Sequence, residues 1–282
     1  MIAPDGSTAG EGMNAVEVRG LSKVFNAGRP DAVEALVDID LVIRPGEFVS
    51  LIGPSGCGKS TQLRLIANLT EPTTGQVLVN GKPARAARLD QDYGMAFQQA
   101  GLFEWRSVTK NVELPLELKG WDRARRRGRA LQMLELVKLS EFADHFPWQL
   151  SGGMQQRVAI ARALAAHPPL LLMDEPFGAL DEMTREHMQT ELLRICGETS
   201  TTVVFVTHSI PEAVFLSTRV VVMSPRPGRI TDVIDVALGS DRSVETRETE
   251  AFFAKVTEVR EALRGVQPAD LEPDIEQVVE EL

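Results

Sequence analysis

The sequence predicts an α/β fold whose core is a largely parallel sheet. A glycine-rich stretch over residues 53–61 fits G-x-x-x-x-G-K-[ST] and lies between a strand-like and a helix-like segment. Three later segments are continuous apolar runs with polar residues at their ends, which is typical of buried parallel strands. Helical segments lie between these runs, so we expect the strands to share one direction.

Composition and charge narrow the class of protein. The chain has 282 residues, 43% hydrophobic and 25% charged, which suits one large domain or one domain with an appendage. A formal net charge of -10 and a pI near 5.0 disfavour non-specific binding to nucleic acid. The cysteines are Cys57 and Cys196, so no disulfide framework is predicted, which fits a reducing cytoplasm.

The first part of the chain is predicted to be rich in strands. Residues 1–14 have neither the basic nor the apolar region of a signal peptide, and we expect a disordered leader there. No apolar run approaches the roughly 18–20 residues that cross a bilayer. The predicted elements are a strand and turn over 16–25, an alternating strand over 35–43, a strand over 47–52, a helix over 62–69, and a strand with an Asn-Gly turn over 76–82. We predict an N-terminal antiparallel β region.

The rest of the main domain, residues 15–238, combines a helical insert with the apolar strands. The insert spans about 100–165 and contains an arginine-rich helix over 121–139. Its arginines form either a solvated helix surface or a partner-binding patch. The apolar runs cover 169–175, 202–208 and 219–224. Residues 239–282 are predicted to be a C-terminal extension with an amphipathic helix over 250–264 and an acidic tail.

Residues 53–61 predict a phosphate-binding loop. Glycines let backbone N–H groups turn inward and cradle an anion at a helix N-terminus. Lys59 brings a charge to the outer phosphates, and the Ser60 hydroxyl can bind Mg²⁺. A chance match is disfavoured by the strand before the loop and the helix after it. The candidate nucleotide-binding residues of the loop are Gly53, Pro54, Ser55, Gly56, Cys57, Gly58, Lys59, Ser60 and Thr61.

Two acids end the first apolar run. Beside a bound nucleotide, Asp174 is placed to hold Mg²⁺, and Glu175 to polarise an attacking water. The alternative is that both acids only cap the next helix. A phosphate loop on the same edge of the sheet favours the catalytic interpretation.

A second glycine-rich stretch, Leu150-Ser-Gly-Gly-Met-Gln-Gln-Arg157, precedes another helix. Ser151 and the glycines predict a helix N-terminus with free N–H groups, which is a second anion site. One domain needs no second anion site for one ATP. Two copies arranged head to tail do, because each copy then places this helix start against the γ-phosphate that the other holds.

These motifs together resemble the ATP-binding subunit of an ABC transporter, over about residues 16–230. The resemblance implies a P-loop NTPase core. Residues 53–61 resemble the Walker A motif, 150–155 the signature sequence, 170–175 the Walker B motif and 178–181 the D-loop. Gln98 resembles the Q-loop glutamine, His208 the switch histidine, and Phe25 the aromatic residue that stacks on adenine.

The resemblance also implies roles, with ATP and Mg²⁺ as cofactors. Ser60, Gln98 and Asp174 would surround Mg²⁺, and Glu175, His208 and Gln98 would be catalytic. The residues implied to bind the nucleotide from the second copy or the D-loop are Ser151, Gly152, Gly153, Gln155 and Asp181. Plainer alternatives stay open: His208 ends a strand, Phe25 is core, and Gln98 is a loop amide. Cys57 is either a filler position or a redox-sensitive thiol.

Partners and location follow from the same resemblance. The chain would form a head-to-tail dimer and power an integral membrane permease from the cytoplasmic face, with an indirect link to a solute-binding protein and none to nucleic acid. Residues 101–105, 111–116 and 224–230 are similar to the nitrate/sulfonate/taurine importer branch, which implies import of a small solute, anionic or containing nitrogen or sulfur. Glu104 and Ser209 depart from that branch, at positions where proline and an acid are frequent.

Two other functions are alternatives to transport. An ABC-type ATPase that acts on nucleic acid or the ribosome usually carries a long insert or a basic arm, and the sequence shows neither. A regulatory nucleotide-binding module would not need Glu175 and His208.

Overall fold

The computed structural model describes residues 13–239 and 242–266. Most of the predicted leader and all of the predicted acidic tail from residue 270 onward lie outside these residues. The strands described are β1 (Val16–Phe25), β2 (Val33–Ile43), β3 (Phe48–Ile52), β4 (Thr74–Val79), β5 (Lys82–Pro83), β6 (Tyr93–Ala96), β7 (Leu170–Asp174), β8 (Thr202–Val206), β9 (Arg219–Met223) and β10 (Ile230–Asp235). The helices described are α1 (Lys59–Ile66), α2 (Ala84–Leu89), α3 (Val108–Leu118), α4 (Arg123–Leu136), α5 (Gly152–Leu164), α6 (Glu182–Thr199), α7 (Ile210–Leu216) and α8 (Glu250–Gly265).

The first strands form a four-stranded antiparallel sheet in the order β2-β1-β4-β5. Val16 pairs with Ile43 on one side and with Val79 on the other. The alternation in β2 buries Ile39, Leu41 and Ile43 on one face. This sheet is the predicted N-terminal antiparallel region.

The central sheet has six strands in the order β10-β9-β3-β8-β7-β6, and all but β10 run parallel. Every residue of β3, β7 and β8 is buried, because helices cover one face of the sheet and α1 with the antiparallel sheet covers the other. The predicted fold class is confirmed. Since parallel strands end on one edge, β3, β7 and β8 deliver the phosphate loop, Asp174-Glu175 and Thr207-His208 to the same place.

Three helices make up the predicted insert, and each begins at a side-chain cap. Ser107 caps α3, Asp122 caps α4 and Ser151 caps α5, each accepting a hydrogen bond from a main-chain N–H of the first turn. Their apolar faces share one core with α6, α7 and α8, which includes Val112, Leu134 and other buried side chains.

Four of the five arginines of helix α4 contact other residues of their own chain. The guanidinium of Arg125 lies 3.7 Å from the ring centre of Trp121. Arg126 and Arg127 approach Glu113 and Asp144 at 3.4 and 3.6 Å, and Arg129 donates to the carbonyl of Ala165 at 3.1 Å. These contacts favour a role in the fold of the insert over a partner-binding patch.

Helix α8 packs on the central sheet through Phe252, Val256 and Val259. Arg242, just before it, donates hydrogen bonds to the carbonyls of Phe215 and Ser217 at 2.8 Å. Within residues 13–239 and 242–266, no helix is both long enough and apolar enough to span a bilayer.

Candidate active site

The phosphate loop has the backbone that its sequence predicts. Gly56 and Gly58 have φ angles of 75° and 105°, in the left-handed region that favours glycine. A Cβ on Gly58 would lie 2.6 Å from Leu36 Cδ2, so a side chain does not fit there. Helix α1 starts directly after the loop at Lys59. Left-handed glycines directly before a helix start are typical of a loop whose N–H groups bind an anion.

Lys59 is 7% exposed and points back over the loop. Its Nζ donates to the carbonyl oxygens of Gly53 and Pro54 at 2.7 and 3.0 Å. Its third contact is the Cys57 sulfur at 3.7 Å, a weak acceptor, so a phosphate oxygen can take that position. The buried charge makes this residue the main cation of the loop.

Ser60 and Asp174 form a candidate Mg²⁺ site. The Ser60 hydroxyl donates to Asp174 Oδ1 at 2.7 Å, which joins the loop to the end of β7. Burial raises the pKa of Asp174 above its ordinary value, while the Ser60 hydrogen bond opposes that rise. In the described part of the chain, no group of three or more His, Cys, Asp or Glu converges as a metal site. Two oxygen ligands fit Mg²⁺, which takes its other ligands from phosphate and water.

Glu175, Gln98 and His208 converge beside the loop. Gln98 Nε2 and His208 Nδ1 lie 3.4 and 3.3 Å from Glu175 Oε2. The Glu175 main chain donates to the carbonyl of Val206 at 3.0 Å, and its φ of 46° lies in the left-handed region. The strand end thus turns sharply and places the carboxylate between an amide and an imidazole.

Lys59, Ser60, Gln98, Glu175 and His208 border one cleft of about 610 Å³, the phosphate cleft, and Asp174 lies buried behind Ser60. The volume of this cleft lies in the range of small-ligand sites. The lining residues are Phe25, Val33, Ala35, Ser55, Gly56, Gly58, Lys59, Ser60, Thr61, Gln98, Glu175, His208 and Arg226. The Phe25 side chain is 39% exposed, which leaves its ring accessible.

Ser151, Gly152, Gly153 and Asp181 lie in a different cleft of the same chain, of about 430 Å³, the signature cleft. Ser151 Oγ accepts from the N–H of Met154, and Asp181 Oδ1 accepts from the N–H of Thr184. This hydrogen bond at the start of α6 lowers the pKa of Asp181. One chain therefore does not bring Ser151 to Lys59.

Two predicted residues face away from either cleft. Gln155 Nε2 donates to the carbonyls of Pro147 and Leu150 at 2.9 and 3.3 Å. The Cys57 side chain is fully buried in the core beneath the loop, with its sulfur 3.7 Å from Lys59 Nζ. Burial favours the filler interpretation of Cys57, since a redox-sensitive thiol needs access to solvent.

Arg226 is the charged residue of the phosphate cleft that was not predicted from the sequence, and the apolar Val33 and Ala35 were not predicted either. Arg226 lies in the loop after β9, whose sequence Ser-Pro-Arg-Pro-Gly-Arg was noted only for its resemblance to one branch. A rigid Pro-Arg-Pro segment at the end of a core strand was the available signal, because such a loop ends on the same edge as the phosphate loop.

Residues 36–178 match the family described as "ABC transporter". The chain belongs to this family. It is 43% identical to a nitrate import ATP-binding protein of Synechocystis, with 91% of this chain and 98% of that protein covered. It is 46% identical to a taurine import ATP-binding protein of Rhizobium johnstonii, with 87% and 94% covered.

Two solved structures of this ABC transporter family resemble the fold. One is a dimeric ATP-binding cassette in a post-hydrolysis state with ADP and Pi, at a TM-score of 0.73 and 38% identity. The other is a dimeric bacterial cassette at 0.73 and 39%. Each comparison covers 78% of this ABC transporter chain and 98% of the solved chain. The recognised family and the α/β nucleotide-binding fold are confirmed.

Proposed function

We propose that this chain is the ATP-hydrolysing subunit of an importer whose membrane-spanning subunits are other chains. The observation that carries the proposal is the convergence at one sheet edge of Lys59, the Ser60–Asp174 pair, and Glu175 between Gln98 and His208.

Each group of the phosphate cleft has its own role in the proposed hydrolysis of ATP. Loop N–H groups and Lys59 bind the β- and γ-phosphates. Ser60, Asp174 and Gln98 would hold Mg²⁺, which would supply positive charge to the phosphate oxygens. Glu175 accepts a proton from water as the water oxygen attacks the γ-phosphorus. The bond to the bridging oxygen breaks, and ADP and phosphate leave. His208 orients Glu175 and contacts the γ-phosphate.

A second copy supplies the groups that one chain keeps apart. In a head-to-tail dimer, Ser151 and Gly153 of each copy face the γ-phosphate of the other. The relatives in the solved structures are dimers. ATP then bridges the copies, and hydrolysis removes the bridge.

The permease contact is proposed for a groove of about 230 Å³ between α3, α5 and β6. Leu114, Leu118 and Met95 give it an apolar wall. Arg162 donates to the carbonyls of Ala100 and Gly101 at 2.9 Å, so α5 fastens the segment that follows Gln98. A permease helix bound in this groove would therefore be linked, through Arg162 and the segment after Gln98, to the glutamine proposed to bind Mg²⁺.

The solute class rests on the relatives. Proteins named for nitrate and taurine import share 43–46% identity with this chain, and we propose a small solute that is anionic or contains nitrogen or sulfur. The permease and a solute-binding protein would select it, and this chain would sit peripherally at the cytoplasmic face.

Reconstitution tests the proposal. The chain is purified with the integral membrane protein that accompanies it and placed in vesicles. ATP hydrolysis should rise when the binding protein carries nitrate or taurine, and the Glu175→Gln variant should show no rise. Salt-sensitive binding to DNA or ribosomes, with no membrane partner, would instead favour the nucleic-acid alternative.

A further inference from the structure

The loop between β9 and β10 is fixed by its own hydrogen bonds. Ser224 N donates to the carbonyl of Arg229 at 2.9 Å, and Arg229 N donates to Ser224 Oγ at 3.0 Å. The Ser224 hydroxyl also donates to the carbonyl of Pro225 at 3.1 Å. Two prolines restrict the backbone further. The loop is therefore a rigid support for the side chain at its tip, Arg226.

The same loop is pressed against both β2 and the phosphate loop. Gly228 N donates to the carbonyl of Ala35, and Val37 N donates to the carbonyl of Gly228, both at 3.0 Å. A Cβ on Gly228 would lie 2.0 Å from the carbonyl oxygen of Cys57. Only glycine allows this approach. The position of the tip is thus set relative to the phosphate loop itself.

Arg226 reaches from this support into the phosphate cleft. Its Nη2 lies 3.4 Å from the point where a Cβ on Gly56 would stand. It lines the cleft with Phe25 and Lys59. None of the ion pairs among residues 13–239 and 242–266 involves Arg226. A chain with net charge -10 thus directs an arginine without a carboxylate partner at its phosphate-binding loop.

We propose that Arg226 is a second cation for the nucleotide and binds the phosphates that ATP and ADP share. The inference rests on the proposed function, because it needs a nucleotide in the phosphate cleft. A guanidinium donates two parallel hydrogen bonds to phosphate oxygens, which Lys59 cannot do. Its neighbour Gly56 belongs to the cradle and not to the catalytic group at Glu175. Arg226 therefore positions the nucleotide before and after hydrolysis and takes no part in the chemical step.

The test measures the binding of ATP, ADP and adenosine to the full chain by titration calorimetry. Arg226→Ala should weaken ATP and ADP about tenfold each, the loss of one charge-assisted contact. Adenosine should bind as it does to wild type. Arg229→Ala is the matched control, since it removes an exposed arginine of the same loop that does not line the cleft. Arg226→Lys should lie between wild type and Arg226→Ala.

Steady-state kinetics supply a second readout. Arg226→Ala should raise KM for ATP about tenfold and leave kcat within about twofold, because uniform binding is lost and transition-state stabilisation is not. The decrease of ATP affinity with added salt should also become less steep. Unchanged melting temperatures of both variants exclude a folding defect as the cause.

Three results would overturn the inference. Equal ATP and ADP affinities of Arg226→Ala and Arg229→Ala would remove Arg226 from the site. An equal loss for adenosine would mean that Arg226 contacts the nucleoside and not the phosphates. If kcat falls and KM does not change, Arg226 acts in the chemical step. Failure of wild type to bind ATP, with Lys59→Ala no worse, would instead refute the proposed function.

Discussion

The phosphate cleft and the signature cleft share a local design, a glycine-rich turn that leads into a helix N-terminus, and differ in what surrounds it. Around Lys59 the fold gathers two carboxylates, an amide and an imidazole. Around Ser151 the polar side chains already cap helices, as Ser151 does for α5 and Asp181 for α6. The first cleft can bind and react, whereas the second can only present N–H groups to an anion. In the proposed head-to-tail dimer, a second copy would supply each cleft with the other type.

The largest expected effect comes from removing the proposed general base of the phosphate cleft. Glu175→Gln should lower kcat about 10²- to 10⁴-fold, because an amide cannot accept the proton of the attacking water. ATP binding should persist, and the closed dimer should accumulate. A phosphate-release assay and size-exclusion chromatography with ATP measure both. The control Glu198→Gln removes an exposed carboxylate at the far end of α6. Turnover near the wild-type rate in Glu175→Gln would exclude Glu175 as the base.

The next effect separates the two clefts. Placed in the Glu175→Gln background, Ser151→Arg should abolish the ATP-dependent dimer, because a bulky side chain blocks the helix start in the signature cleft. ATP should still bind the single chain within about twofold of the parent affinity, since Lys59 lies in the other cleft. Light scattering and calorimetry report the two quantities. Gly128→Arg adds the same charge to α4, in open space, and should still dimerise. A persistent dimer with Ser151→Arg would contradict the head-to-tail arrangement.

A smaller effect concerns the stability cost of the phosphate cleft. Burial raises the pKa of Asp174 above 3.8, so the folded chain favours the protonated carboxyl. The stability that this protonation contributes is fully present below pH 3.8 and is lost as pH rises through the raised pKa. Asp174→Asn should therefore melt at a higher temperature than wild type at pH 7.5, without nucleotide. The gap should shrink as pH falls toward 3.8. Calorimetry without Mg²⁺ measures it, and a gap that does not vary with pH would refute the electrostatic cause.

The smallest effect lies outside both clefts. Gly128 is exposed inside α4 and has open space around its Cβ position. Gly128→Ala should stabilise the protein by about 0.5–1 kcal/mol through helix propensity. ATP hydrolysis should not change. Denaturant unfolding measures the gain, and a loss of ATPase would show that the insert is coupled to the phosphate cleft through α4.

The strands that the sequence predicted are those with strong local patterns. The continuous apolar runs became β7, β8 and β9 with bounds within a residue or two of those expected. Strand β6 was missed because Tyr93–Ala96 is short and contains a glycine, so no period is visible. Gly94 is there because a Cβ would lie 2.3 Å from the carbonyl of Ala163, a contact that only the tertiary structure reveals.

The site residues also divide into those with a local sequence pattern and those that only the tertiary structure brings together. The phosphate loop is one contiguous segment and Asp174-Glu175 is another, so each could be predicted from its local sequence. Arg226 comes from a loop about 170 residues after Gly56, and only the pairing of β9 with β3 brings it to the cleft. The separation of Ser151 from Lys59 was predicted from chemical logic, whereas the hydrogen bonds of Gln155 to its own chain could not be read from any pattern.

The left-handed backbone of Glu175 sets the stability of this chain against its proposed activity. A glutamate at a φ of 46° costs on the order of 1 kcal/mol or more that glycine would not. Glu175→Gly would relieve this backbone strain and would also remove the proposed general base. At this residue, an unstrained backbone and the proposed chemistry make opposite demands.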